Sequence, residues 1–149
     1  SFPTRRSSDL GSKIANAKSI ADLKGAKLGA QVGTTSYSTI TDVIQPTQSP
    51  AVFDTNDVAK QALANGQIDG LVVDLPTAFY ITAVDLENGL IVGQFPAKAG
   101  GEQFGLVLSK GSKLTKDVTA AVDALRANGT LAKIADTWLA STVGAPVLK

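Results

Sequence analysis

The sequence contains no cysteine, no histidine and no methionine. Without cysteine it has no disulfides and no thiolate metal ligands. Without histidine it has no imidazole base, no Ser–His triad and no ordinary zinc site. An excess of one charge is missing too. The 14 Lys and Arg stand against 13 Asp and Glu, interspersed, for a net charge of +1. Nucleic acid is therefore not an expected partner, since phosphate binding needs clustered cations. No apolar run approaches the roughly 18 residues of a membrane span. The opening stretch SFPTRRSSDL also lacks the apolar segment of a signal peptide.

With Ser1 in front and no methionine anywhere, the sequence is expected to be part of a longer translated chain. Residues 1–10 show neither periodicity nor alternation and are expected to be a foreign or disordered lead. The full sequence is 44% apolar and 18% charged, the composition of a globular domain.

Short apolar runs alternate with amphipathic stretches, which predicts an α/β fold. Lys27–Val32 reads as a strand that runs into Gly33. A helix follows, with Tyr37, Ile40 and Ile44 on one face, and Pro46 closes it. Ala51–Asp54 reads as a second strand. Asn56 is expected to cap the next helix, which turns Val58, Ala62 and Leu63 inward and ends at Gly66. Gly70–Val73 has the unbroken apolar character of a buried parallel strand, and Asp74 ends it. Pro76 suits the first turn of a helix reaching about Val84. Leu90–Val92 and Phe104–Leu108 are read as further strands, with a connection over Phe95–Gln103 between them. Two helices then carry Leu114, Val118, Ala121, Val122 and Leu125, and Leu131, Ile134, Ala135, Trp138 and Leu139, along single stripes. Trp138 is expected in the core.

Two places could carry chemistry. Gln31-Val32-Gly33-Thr34-Thr35-Ser36 joins a strand end to a helix start. There, free N–H groups, the positive end of the helix dipole and two hydroxyls suit a small carboxylate. The same Gly-Thr-Thr also reads as a plain helix cap. It is not a nucleotide P-loop, because no Gly-Lys-Ser/Thr follows at the required spacing. Asp74, at another strand end, reads either as a counter-charge for a cation or as a capping carboxylate. Together the two places match the two charges of one amino-acid zwitterion.

Several stretches resemble the amino-acid branch of the bacterial type-2 periplasmic solute-binding proteins, the family 3 extracellular proteins that serve ABC transporters. They are Ile20-Ala-Asp-Leu-Lys-Gly25, Gly29-Ala-Gln-Val-Gly-Thr-Thr-Ser36, Ala62-Leu-Ala-Asn-Gly-Gln-Ile-Asp69 and Leu71-Val-Val-Asp-Leu-Pro-Thr-Ala78. Phe104-Gly-Leu-Val-Leu-Ser-Lys-Gly111 and Leu125-Arg-Ala-Asn-Gly-Thr-Leu-Ala-Lys-Ile134, followed by Trp138, continue the series in order. The resemblance implies an α/β second lobe with a mainly parallel sheet flanked by helices, over residues 25–95. Residues 11–24 would be a partial inter-lobe segment. Residues 96–149 would be a return crossover and a β-α-α tail belonging to an incomplete first lobe, so the Leu125 and Trp138 faces would lack their usual partner.

It also implies roles: Thr34 and Thr35, with Gly33 between strand and helix, for the ligand's α-carboxylate; Asp74 for its α-ammonium; Gln31 facing its side chain. The first lobe, with the aromatic residue and Arg that complete the site in this family, is expected to lie outside this sequence. The implied function is capture of a free amino acid for uptake, with an ABC-transporter membrane permease as partner and no metal or organic cofactor. The implied state is a monomer, periplasmic or extracellular, with a lipid anchor at the cell surface as one form. A sensory ligand-binding domain and a dehydratase-type enzyme use the same fold and stay open. No pair of acids is marked for proton transfer, since Asp69, Asp85 and Glu87 fall at turns or surfaces. Gln31, with no second acid at the matched strand ends, leans toward a polar neutral or acidic ligand.

Overall fold

The apolar run after Lys27 forms strand β1 (Leu28–Gln31), and both of its edges are paired. A computed structural model describes residues 12–87, 89–96, 105–140 and 145–149. In it, β2 (Ala51–Phe53) and β3 (Gly70–Leu71) flank β1 in the order β2-β1-β3. Both pairings are parallel, with Ala30 opposite Val52 and Gly29 opposite Leu71. The Val32 N–H reaches the Phe53 carbonyl at 2.8 Å, and the Val72 N–H reaches that of Gly29 at 2.9 Å, so pairing extends just past the strands. The α/β class with a parallel sheet flanked by helices is the class the sequence predicts.

Successive side chains of a strand face opposite sides. Leu28 and Ala30 enter a cluster with Ile14, Leu23, Ala26, Ile40, Ile44 and Leu148. Ile40 and Ile44 come from the helix after β1. That helix begins as α1 (Thr35–Thr39) and runs on through a wider turn over Ile40–Ile44. Tyr37 packs half-buried on the same cluster, as the spacing predicts. Gln45 closes the helix in the left-handed region at φ 51°, with Pro46 next.

The opposite side of β1 receives α2 (Asn56–Ala64). Its cap is Thr55 rather than Asn56: the Thr55 side chain accepts the Val58 N–H at 3.3 Å. The helix buries Ala59 and Ala62, whereas Val58 is 49% exposed. A helix lying close on a sheet admits small residues at the contact, and Val58 points past it.

Strand β3 leads to α3 (Leu75–Tyr80), with Pro76 in its first turn, and a wider turn follows over Ile81–Asp85. The expected strand at Leu90–Val92 does not form. Beyond these residues, Gln94 makes one parallel bridge with Val147.

The chain divides into two units, Ser1–Pro96 with Ala145–Lys149, and Ala97–Gly144. In the second, α4 (Thr115–Ala127) and α5 (Thr130–Ala135) pack together, with Gly129 between them at φ 78°. The expected strand at 104–108 does not form among its described residues, and Val107 is 97% exposed. Trp138 is 69% exposed, which corrects the expectation of a core role. Two helices share one line of contact, and side chains off that line have no second layer to enter. The expected lead at 1–10 and most of the connection to Gln103 lie outside the described residues.

A Cβ on Gly29 would stand 2.7 Å from Phe53 Cε2 and 2.9 Å from Ile68 Cδ1. Gly29→Ala should therefore cost about 1–3 kcal/mol through overpacking, read as a lower urea midpoint. An unchanged midpoint would mean that Phe53 and Ile68 move aside freely.

Candidate ligand site

Because all three strands are parallel, their carboxyl ends share one edge of the sheet. Ligands of open α/β sheets bind beyond that edge. The chain leaves β1 through Gln31–Thr34, leaves β2 through Asp54 and Thr55, and leaves β3 through Val72–Asp74. β1 is central, so the Thr34 loop is flanked on both sides. The sheet thus brings the stretch from Gln31 through Gly33, Thr34 and Thr35 to the same edge as Asp74, beyond the neighbouring strands β1 and β3.

Gly33 has φ 70°, where a side chain is strained, and no atom would meet a Cβ there within 4 Å. The loop is therefore open above its backbone. Thr34 is the N-cap residue of α1, yet its hydroxyl donates back to the Gln31 carbonyl at 2.8 Å. No side chain caps α1. The Thr35 hydroxyl has no hydrogen-bond partner among the described residues, and Thr35 is exposed. The first-turn N–H groups, which a helix cannot satisfy internally, thus face outward beside a free hydroxyl.

Asp74 is committed in a different way. It caps α3, with Oδ1 accepting the Thr77 N–H at 3.0 Å and Oδ2 accepting the Thr77 hydroxyl at 2.8 Å. The capping reading of Asp74 is thus realised. A carboxylate has about four lone-pair sites, so this exposed one keeps room for a cation. Gln31 is half-buried at the end of β1, in register with Phe53.

The loop after β2 was not singled out by sequence reasoning, although an acid and a hydroxyl directly after a strand were visible there. Asn56, the first residue of α2, keeps its Oδ1 out of solvent with no hydrogen-bond partner among the described residues. One turn further, Lys60 lies 2.8 Å from Asp57 and 2.6 Å from Asp85, tying α2 to the turn after α3. The two carboxylates, Asp57 first, push the Lys60 pKa up to about 12. Among the described residues, no group of His, Cys, Asp or Glu could hold a metal ion.

No family model matches the chain. It is 32% identical over 137 residues to the L-arginine-binding protein of Pseudomonas aeruginosa, across 83% of this chain and 50% of that protein. It is 29% identical over 123 residues to ABC transporter arginine-binding protein 1 of Escherichia coli, across 81% of this chain and 50% of that one. The chain is thus similar to two arginine-binding proteins, one of them named as part of an ABC transporter. It spans about half the length of the curated relatives it matches. Both relatives are named for binding and neither for catalysis.

Two outcomes follow from these contacts. Asp74→Ala should lose about 0.5–2 kcal/mol of stability with the cap, while Asp74→Asn keeps a competent cap and most of the stability. Equal losses in thermal unfolding would mean that charge, rather than capping, is what α3 needs. For Lys60, the raised pKa contributes stability that is complete below pH 10.5 and fades as pH rises through about 12. The gap in unfolding midpoint between wild type and Lys60→Met should therefore narrow across that window, and a constant gap would show that the ion triad has no role.

Proposed function

We propose that the chain carries part of the binding site of an extracytoplasmic solute-binding protein that captures a free amino acid. The observation that supports this reading most is the pairing on one sheet edge: an uncapped helix start beside a Thr35 hydroxyl with no partner among the described residues, and the Asp74 carboxylate just past the next strand. The helix start is a site for the ligand's α-carboxylate. Asp74 is the acceptor for its α-ammonium, through the lone pairs that Thr77 leaves over. Gly33 keeps the loop low enough for the ligand to reach the backbone, and Gln31 contributes to side-chain choice.

The chemistry required is binding and release, with no covalent step. The proposed partner is a membrane permease of the ABC type, with the binding protein acting as a monomer outside the cytoplasm. No described helix is long and apolar enough to cross a membrane. Arginine is the first ligand to titrate, because both relatives are named for it. The sequence itself leans the other way, toward a polar neutral or acidic side chain, so glutamine and glutamate complete the set.

Amide shifts on titration with these amino acids test the reading. The signals of Gly33–Ser36 and of Asp74–Thr77 should move together at millimolar ligand. Thr35→Val should weaken binding by about 1–2 kcal/mol through the lost hydroxyl, and more for the free acid than for its amide. Equal losses for acid and amide would reduce Thr35 to a helix-start residue, and shifts confined to other regions would overturn the site.

A further inference from the structure

After residues 97–144 the chain returns to the sheet-bearing unit and adds itself beside Gln94. The Gln94 N–H donates to the Pro146 carbonyl, and the Leu148 N–H donates to that of Gln94, each at 2.9 Å. The Gln94 side-chain amide donates to the Ala145 carbonyl at 3.0 Å, and the Ile20 N–H donates to the main-chain oxygen of Lys149 at 3.2 Å. Leu148 is 2% exposed, in the cluster with Ile14, Leu23 and Leu28. Gly93 makes the room: a Cβ there would stand 2.6 Å from Leu148 Cγ and 2.9 Å from the Pro146 carbonyl oxygen.

This is recognition by strand addition, in which main-chain bonds supply grip and a pocket for one side chain supplies selectivity. The grip is narrow. Only one bridge forms, only Leu148 is buried, and Pro146, Val147 and Lys149 are exposed. None of the pairings in the β2-β1-β3 ladder uses this segment. Segments with one anchor and few shared contacts open locally, at a lower free energy than the sheet.

We propose that residues 145–148 are a detachable strap, and that the groove at Gly93 and Gln94 is its docking site. Docked, the strap holds residues 97–144 as a loop closed at both ends on the sheet-bearing unit. Released, that stretch keeps its tether at Pro96 and loses the one at Ala145.

Amide hydrogen exchange on the whole chain tests this. The strap-dependent amides are those of Ile20, Gln94 and Leu148, and the sheet references are those of Val32, Asp69 and Val72. The strap amides should exchange ~10-fold or more faster than the references. Gly93→Ala should speed them further and leave the references unchanged. Leu148→Ala, which only removes the anchor, should do the same, and serves if Gly93→Ala does not fold. In the Leu148→Ala chain, a synthetic Ala-Pro-Val-Leu-Lys peptide should restore protection at Ile20 and Gln94, whereas the peptide with alanine in place of leucine should not. Equal exchange at all six amides would show one cooperative sheet and overturn the strap. Protection unmoved by either substitution, or not restored by the leucine peptide, would overturn the docking site.

Discussion

Strand β1 is held from both edges and both faces, and the rest of the sheet-bearing unit depends on that confinement. Its neighbours are parallel, so each must be reached by a crossover that returns over a face of the sheet. Those crossovers are the helices that cover Leu28 and Ala30 on one face and Gly29 on the other. A slip of one residue would carry Leu28 and Ala30 to the face where Phe53 and Ile68 already press on Gly29. The register is therefore set sterically as well as by hydrogen bonds. It also determines where β1 ends at Gln31 and the loop to Thr34 begins.

The three helix starts on the carboxyl edge are treated differently, and the chemistry of the edge follows from it. Thr55 caps α2 and Asp74 caps α3, so each of these starts has a side-chain acceptor for one N–H. Thr34 is chemically able to cap α1 but turns its hydroxyl to the Gln31 carbonyl. The edge thus has one donor-rich opening, and a carboxylate on the strand beside it. A molecule carrying one negative and one positive group at short separation fits that polarity.

What the sequence made legible is what depends on near neighbours. Helical spacing placed Ile40 and Ile44 in the core, and the acid after an apolar run placed Asp74 at a strand end. The choice between Thr55 and Asn56 as cap was one residue out, because both side chains can cap and only the local turn decides. The larger misses depend on distant partners. Leu90–Val92 and residues 105–108 have strand-like composition, but a strand needs an edge to join. Trp138 sits on a well-spaced stripe, and spacing does not say whether a second layer is there to cover it. The docking of Leu148 next to Gly93 leaves no periodic trace in either segment.

That last contact has a consequence for how the chain is made. Ile14 and Leu148 belong to one apolar cluster, yet almost the whole sequence lies between them. A chain emerging from the ribosome can form β1, its neighbours and their helices early, since those contacts are close in sequence. The cluster beneath Leu28 nevertheless stays open on one side until the last residues of this stretch are synthesised. During that interval the place of Leu148 in the cluster is unfilled, and the Gln94 N–H and carbonyl lack their partners at Pro146 and Leu148. The order of synthesis therefore leaves the partly made chain most exposed to wrong strand partners at the place where the finished one closes.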